Sequence, residues 1–188
     1  MNKFLLLFLS LFLFGCGPSL VTTGAKTVIG QNQDEKSFGE SWDDASIKLG
    51  IKEKYFSYDA TLFTKIDVEV ELGVVLLTGV VPFGDMRLEA VRLAWQQNGV
   101  VEVLNEISID TGYGIDDIAK DKFISTQLFT KVLADSEIKK FKYDHEVQKQ
   151  IIYLFGVSND QSEINRVIDH AKSIKGVVDV INYIQPRN

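Results

Sequence analysis

"KIDVEVELGVVLLTGVV", residues 65–81, returns as "KYDHEVQKQIIYLFGVS", residues 142–158. Lys65, Asp67, Glu69, Val70, Leu77, Gly79 and Val80 fall on Lys142, Asp144, Glu146, Val147, Leu154, Gly156 and Val157, always 77 residues apart. The register runs on into "NGVVEVLNEISI" (98–109) and "KGVVDVINYIQP" (175–186), where Gly99, Val100, Val101, Val103, Asn105 and Ile107 recur. A fixed long period is the mark of a duplicated structural unit. The chain therefore divides into two copies, 41–112 and 113–188.

Each copy reads as α-β-β-α-β. "IDVEVEL" alternates with period two, as a half-buried strand does, and "VVLLTGVV" is continuously apolar, as a central strand is. Gly73 lies between them as a tight-turn residue. Gln150 stands at that position in the second copy, which predicts a different turn there. A helix precedes each hairpin, with Ile47, Ile51 and Tyr55 on one face in the first copy and Phe123 or Ile124, Leu128 and Val132 in the second. The paired acids Asp43-Asp44 and Asp116-Asp117 suit helix N-termini, where the macrodipole is positive. Taking both pairs as helix starts makes the second copy about four residues longer ahead of its first strand. A second helix is predicted over 85–98 and 160–175, opened in the second copy by Asp160 with Glu163 in capping-box spacing. Gly99 and Gly176 are read as closing these helices. The fold class is α+β: two tandem sandwiches, each with two helices on one face of a three-stranded sheet.

The N-terminus is a separate matter. Lys3 precedes an apolar run from Phe4 to Phe14, too short for a bilayer span of about 20 residues and proportioned like a signal peptide. The run ends in Leu13-Phe14-Gly15-Cys16, which holds the only cysteine. This resembles a bacterial lipobox, with residues 1–15 removed and Cys16 lipidated; an ordinary signal peptide with an incidental cysteine, or a short uncleaved anchor, is the alternative. Several acyl chains would anchor firmly, at about 0.8 kcal/mol per buried methylene. Gly17, in place of the Asp that resembles an inner-membrane retention signal, favours the outer membrane. Residues 16–40 read as a flexible tether.

The repeat itself resembles the BON domain. The residues that carry the resemblance are Gly73, Leu77, Gly79, Ala94, Gly99, Val100, Val103 and Asn105, and then Leu154, Gly156, Ala171, Gly176, Val177, Val180 and Asn182. A lipobox followed by two such units is similar to the dual-BON outer-membrane lipoproteins of Gram-negative bacteria. That resemblance implies envelope maintenance at the periplasmic side of the outer membrane, not catalysis, and anionic phospholipid bound through the first helix of the second unit. The segment "DDIAKDKFISTQLFTKVL", 116–133, matches the pattern at Asp121, Ile124, Ser125 and Thr126. The site this implies comprises Lys120, Lys122, Phe123, Ser125, Thr126, Phe129 and Lys131, joined by Lys139, Lys140 and Lys142 around Phe141. Lysines would meet phosphates, at about 1 kcal/mol each at best, while the exposed members of Phe123, Leu128 and Phe129 would insert, with Phe123 and Phe129 lying partly off the helix's own packing face.

Charge narrows the classes. The net charge of −6 disfavours nucleic acid. Residues 41–112 carry six Lys or Arg against twelve Asp or Glu, whereas 113–188 carry eleven of each, so the halves face different partners. An alternative function follows: a periplasmic adaptor or stress-linked chaperone, gripping outer-membrane or periplasmic proteins through the first unit's Tyr55, Phe56, Tyr58 and Phe63. His145 and His170 lack metal-like spacing and read as structural. No nucleophile sits beside a base, and no glycine-rich phosphate loop follows a strand. The sequence implies no enzyme, no metal and no cofactor.

Overall fold

The computed structural model describes residues 38–139 and 143–186. The first unit contains α1 (Phe38–Tyr58), α2 (Ala60–Lys65), β1 (Ile66–Glu71), β2 (Val74–Val81), α3 (Gly84–Trp95), β3 (Glu102–Asn105) and β4 (Ser108–Ile109). The second contains α4 (Ile115–Ala134), β5 (Tyr143–Gln148), β6 (Ile151–Val157), α5 (Gln161–Lys172) and β7 (Asp179–Gln185). Both are α+β sandwiches of the expected order. In each, the apolar strand is central, antiparallel to the strand before it and parallel to the strand after it. The short helix α2, which no periodicity announces, is capped by Asp59, whose carboxylate accepts Thr61 N–H, and it buries Leu62.

The third strand of the first unit is broken, where a continuous one was expected. β3 and β4 both pair with β2, and between them Glu106 N–H still reaches the Leu77 carbonyl at 2.9 Å. The carbonyl of Glu106 accepts the side-chain amide of Gln148 from the other unit, and its carboxylate accepts the Tyr183 hydroxyl. Both groups are thus drawn across to the second unit at the break.

Asp44 does not open a helix; α1 is already helical at Phe38. Its buried carboxylate accepts the N–H groups of Leu72 (3.0 Å) and Gly73 (2.9 Å), the two residues of the β1–β2 turn. Asp121 does the same for Lys149 (2.7 Å) and Gln150 (2.8 Å). Asp44 and Asp121 are 77 residues apart, so the repeat is gap-free through its first helix and no longer second copy is needed. Asp116 and Asp117 do sit in the first turn of α4. The turns are also alike. Leu72 and Gly73 have φ of 52° and 77°, and Lys149 and Gln150 have 54° and 61°. Two positive-φ residues make the primed hairpin turn that suits the strand twist. Gln150 therefore adopts the glycine conformation instead of changing the turn, held there by Asp121.

The second helices end earlier than predicted. α3 stops at Trp95 and α5 at Lys172, while Gly99 and Gly176, with φ of 90° and 98°, shape the turns that follow. Asp160 caps α5 as expected, accepting Ser162 and Glu163 N–H. Glu163 does not reciprocate; it is buried and its carboxylate accepts Lys139 N–H.

Three cores result. Ile47, Ile51, Tyr55, Val68, Leu77 and Ala90 lie among the residues that join α1 and α3 to the first sheet. Ile124, Leu128, Ile152, Leu154 and Val167 do this for the second. The third core lies between the sheets, where Val74 and Leu76 meet Tyr153 and Phe155, flanked by Leu104, Ile151, Ile181 and Tyr183. Each central strand is covered on both faces, which is why it reads as continuously apolar. Gly79 has a neighbour too close for any other residue, since a Cβ there would lie 2.1 Å from the Lys65 carbonyl.

Replacing Asp121 with Ala should cost about 3 kcal/mol, because the turn N–H groups and the Tyr113 hydroxyl bonded to it at 2.6 Å lose their acceptor. Gln150→Gly should stabilise by about 1 kcal/mol through relief of the left-handed conformation. Denaturant midpoints of the two variants should therefore move in opposite directions.

Candidate functional site

α4 turns Asp121, Ile124 and Leu128 into the protein. A 3.6-residue period then directs Phe123 and Phe129 outward, and they are 65% and 53% exposed. Three residues that the sequence reading left out extend this surface: Ile115, Ile118 and Leu133, all exposed. Their signal was present, since 115, 118, 122, 126, 129 and 133 recur at three and four opposite the buried stripe. Among the described residues no helix is long and apolar enough to cross a membrane.

The polar residues expected at the site separate into those on this face and those that serve the fold. Lys122 is exposed among Ile118, Phe123 and Phe129. Lys120 is exposed and pairs with Asp117 at 3.1 Å, a contact of little energetic weight at a surface. Thr126 is exposed, but its hydroxyl donates to the Lys122 carbonyl at 2.9 Å. Ser125 faces inward, its hydroxyl 3.0 Å from His145 Nε2 on β5. Lys131 is half-buried and Lys139 exposed. Cys16, Lys140, Phe141 and Lys142 lie outside the described residues.

The histidines bind neighbours. Burial pushes His145 below the ordinary imidazole range, which favours the neutral ring beside Ser125. His170 Nε2 lies 2.7 Å from Asp135, which caps the C-terminal end of α4 and also receives Arg166 at 3.1 and 3.2 Å. Those partners hold the Asp135 carboxyl far below its usual range, and they tie the end of α4 to α5. Beside this end, Leu128, Phe129, Val132, Leu133, Tyr143 and Leu154 line an apolar cleft of ≈ 250 Å³.

A second cleft, of ≈ 380 Å³, lies between the units and is polar. Asp67 of β1, Glu146 of β5 and Lys122 of α4 line it. Burial, followed by the repulsion of Asp67 and Glu69, pushes the Glu146 carboxyl up to about 7. Glu69, the equivalent residue, is also raised by burial, though Lys48 bonded to it offsets part of the rise.

On the first unit, Phe56, Tyr58 and Phe63 are exposed, and Phe56 meets Phe63 edge-on with centroids 5.5 Å apart. Tyr55 is not exposed, contrary to expectation. It shares the face of Ile47 and Ile51, is fully buried, and donates its hydroxyl to the Ala90 carbonyl at 2.9 Å.

Comparison with known proteins matches the BON domain family at residues 43–111 and again at 120–188. An uncharacterized protein in the gshII 5′ region of Anaplasma centrale is 40% identical over 144 residues, covering 76% of this chain and 94% of that one. The outer membrane lipoprotein DolP of Haemophilus influenzae is 29% identical over 179 residues, 94% of this chain and 91% of its own. The osmotically-inducible protein Y of Escherichia coli is 26% identical over 151 residues, 79% of this chain and 75% of its own.

Glu146 gives a stability test. An acid whose pKa is raised on folding binds more protons in the native state, so stability falls as pH rises from its ordinary range near 4.5 to about 7. The penalty is absent below that window and complete above it. Glu146→Gln should therefore raise the melting temperature at alkaline pH and leave it unchanged in acid.

Proposed function

The chain belongs to the BON-domain family, and from that premise we propose that it is a lipid-anchored envelope protein that binds anionic phospholipid through α4 of its second unit. One observation carries this reading: α4 presents Ile115, Ile118, Phe123, Phe129 and Leu133 outward around the exposed Lys122. A run of large apolar side chains on a helix already packed on its other side is left exposed, without a partner among the described residues. Rings that enter the boundary between headgroups and acyl chains while a lysine meets phosphate are how an amphipathic helix lies on a membrane. The lysines 120 and 131 flank this surface, and Lys139, Lys140 and Lys142 follow α4 in the chain.

Cys16 is the proposed lipidation site, with 1–15 the signal peptide and 16–40 the tether. DolP, a relative matched over 91% of its own length, is named an outer membrane lipoprotein, and the inner leaflet of the outer membrane is the proposed location. The protein acts as a binding module that supports membrane integrity, with no catalytic step. A second reading rests on the first unit: Phe56, Tyr58 and Phe63 form an exposed aromatic corner with Lys52 Nζ 5.2 Å from the Phe63 ring centre. That surface suits a protein partner in the envelope better than a lipid, because its unit is the acidic one.

The test is flotation of the full chain carrying Cys16→Ala with vesicles of phosphatidylglycerol, compared with phosphatidylcholine. Binding is expected on the anionic vesicles only, and to weaken with salt. Phe123→Ser and Phe129→Ser should each weaken it about tenfold without changing the melting temperature, since both rings are exposed in the fold. Undiminished binding by the double variant would remove α4 from the site. Separately, Cys16→Ala should abolish incorporation of radioactive palmitate in cells.

A further inference from the structure

The second unit lacks an ion pair that the first one has. In the first, Lys48 Nζ lies 2.8 Å from both carboxylate oxygens of Glu69. A shift of 77 residues replaces Lys48 with Ser125 and Glu69 with Glu146. Ser125 turns to His145, and the charges that reach Glu146 act through space alone.

Those charges come from every side of the inter-unit cleft. β1 contributes Asp67 and Glu69, which oppose ionisation of Glu146. α1 contributes Lys48, already committed to Glu69, and Lys52, whose ammonium donates to the carbonyls of Phe63 and Ile66. Lys65, Tyr113 and Asp121 line the same space; Asp121 is engaged by the β5–β6 turn and by the Tyr113 hydroxyl. Asp144 lies on the same strand and is exposed. Lys122 differs from the other cations. It lines the cleft with Glu146, helps to keep that carboxyl ionised, and is exposed on the outer face of α4. One ammonium on a flexible four-carbon stem thus serves both the cleft and the surface.

We propose that Glu146 regulates the membrane face of α4: ionised, it draws Lys122 into the cleft, and protonated, it releases Lys122 to the phosphate of an anionic lipid, so docking tightens as the pH falls. The inference rests on the reading that α4 meets the membrane. The protonation midpoint of Glu146, about 7, places the change near neutral pH. One lysine gained at an anionic surface corresponds to about fivefold in affinity.

The experiment measures partition of the full chain carrying Cys16→Ala onto phosphatidylglycerol vesicles from about pH 8 to about pH 5.5, a span in which the lipid phosphodiester stays ionised and Glu146 titrates. Binding about fivefold tighter at the acid end is expected. Glu146→Gln should bind at the acid-end level throughout, and Lys122→Gln weakly throughout. His145→Gln and His170→Gln, which remove the two imidazoles, should keep the profile. A profile that is flat, or that survives Glu146→Gln, overturns the regulation and leaves the membrane reading standing. No binding at any pH overturns both.

Discussion

A buried aspartate on the first helix of each unit, bonded to both N–H groups of the hairpin turn, is the contact on which the rest depends. Asp44 and Asp121 are each 4% exposed. Each bonds the two turn N–H groups with its two carboxylate oxygens. A carboxylate taken out of water is costly unless it is well hydrogen-bonded, and here the turn N–H groups supply that bonding. The contact ties the helix to one end of the hairpin and thereby fixes the register of β1 on β2 and of β5 on β6. Strand alternation then decides which side chains face the helices and which face the other sheet. A one-residue slip of β1 would turn Val68 and Val70 out of the first core and point Asp67 and Glu69 into it.

The interface between the units behaves like that of a two-fold dimer made within one chain. Residues 77 apart meet across it: Val74 and Ile151, Leu76 and Tyr153, Leu104 and Ile181 share one core, and Glu106 accepts the hydroxyl of Tyr183. Gln148 breaks the symmetry. Its amide group donates to the Glu106 carbonyl and the Ser108 hydroxyl, its oxygen accepts Gly79 N–H, and its counterpart is Glu71. The outer helices have diverged further. Phe123 and Phe129 occupy the places of Ser46 and Lys52. The packing residues Ile47 and Ile51 are matched by Ile124 and Leu128. Duplicate units that retain their cores and differ on one outer helix have been given different surfaces to contact.

Much of this was legible in the sequence because it depends on periods. The repeat gave the two units, alternation gave β1, and apolar spacing gave the inner faces of α1 and α4. What the periods did not show depends on tertiary partners. An acid near a helix start looks like a cap, and only the fold reveals that Asp44 and Asp121 bind a turn distant in sequence. A glutamine at a turn argues against a primed hairpin until Asp121 is seen to hold Gln150 at φ 61°. The continuous run in "VVLLTGVV" did contain the answer to the inter-sheet core, since a strand apolar on both faces needs covering on both. On α4, charge and aromaticity mark Lys122, Phe123 and Phe129, while Ile115, Ile118 and Leu133 carry no signal beyond their spacing. The family pattern that includes Ser125 does not say which way it faces, and its position one residue after Ile124 turns it toward β5.

The net charge of −6 is no obstacle to an anionic surface, for a geometric reason. At physiological ionic strength the screening length is about 8 Å, so a membrane senses the groups on the contacting face and little beyond them. Three of the acids on or beside α4 are occupied elsewhere. Asp121 is committed to a turn, Asp117 to Lys120 and the Gly114 N–H, and Asp135 to Arg166 and His170. Asp67 and Glu146 line the cleft between the units, and burial, with a smaller contribution from the repulsion of neighbouring acids, raises the carboxyls of Glu69 and Glu146. With the proposed lipid anchor, a weak face of this kind would gain from confinement: a domain tethered to the same membrane would meet it at an effective concentration set by the tether, so modest intrinsic affinity would be enough. Strong binding would instead fix the domain on lipid and withdraw its aromatic corner from any protein partner.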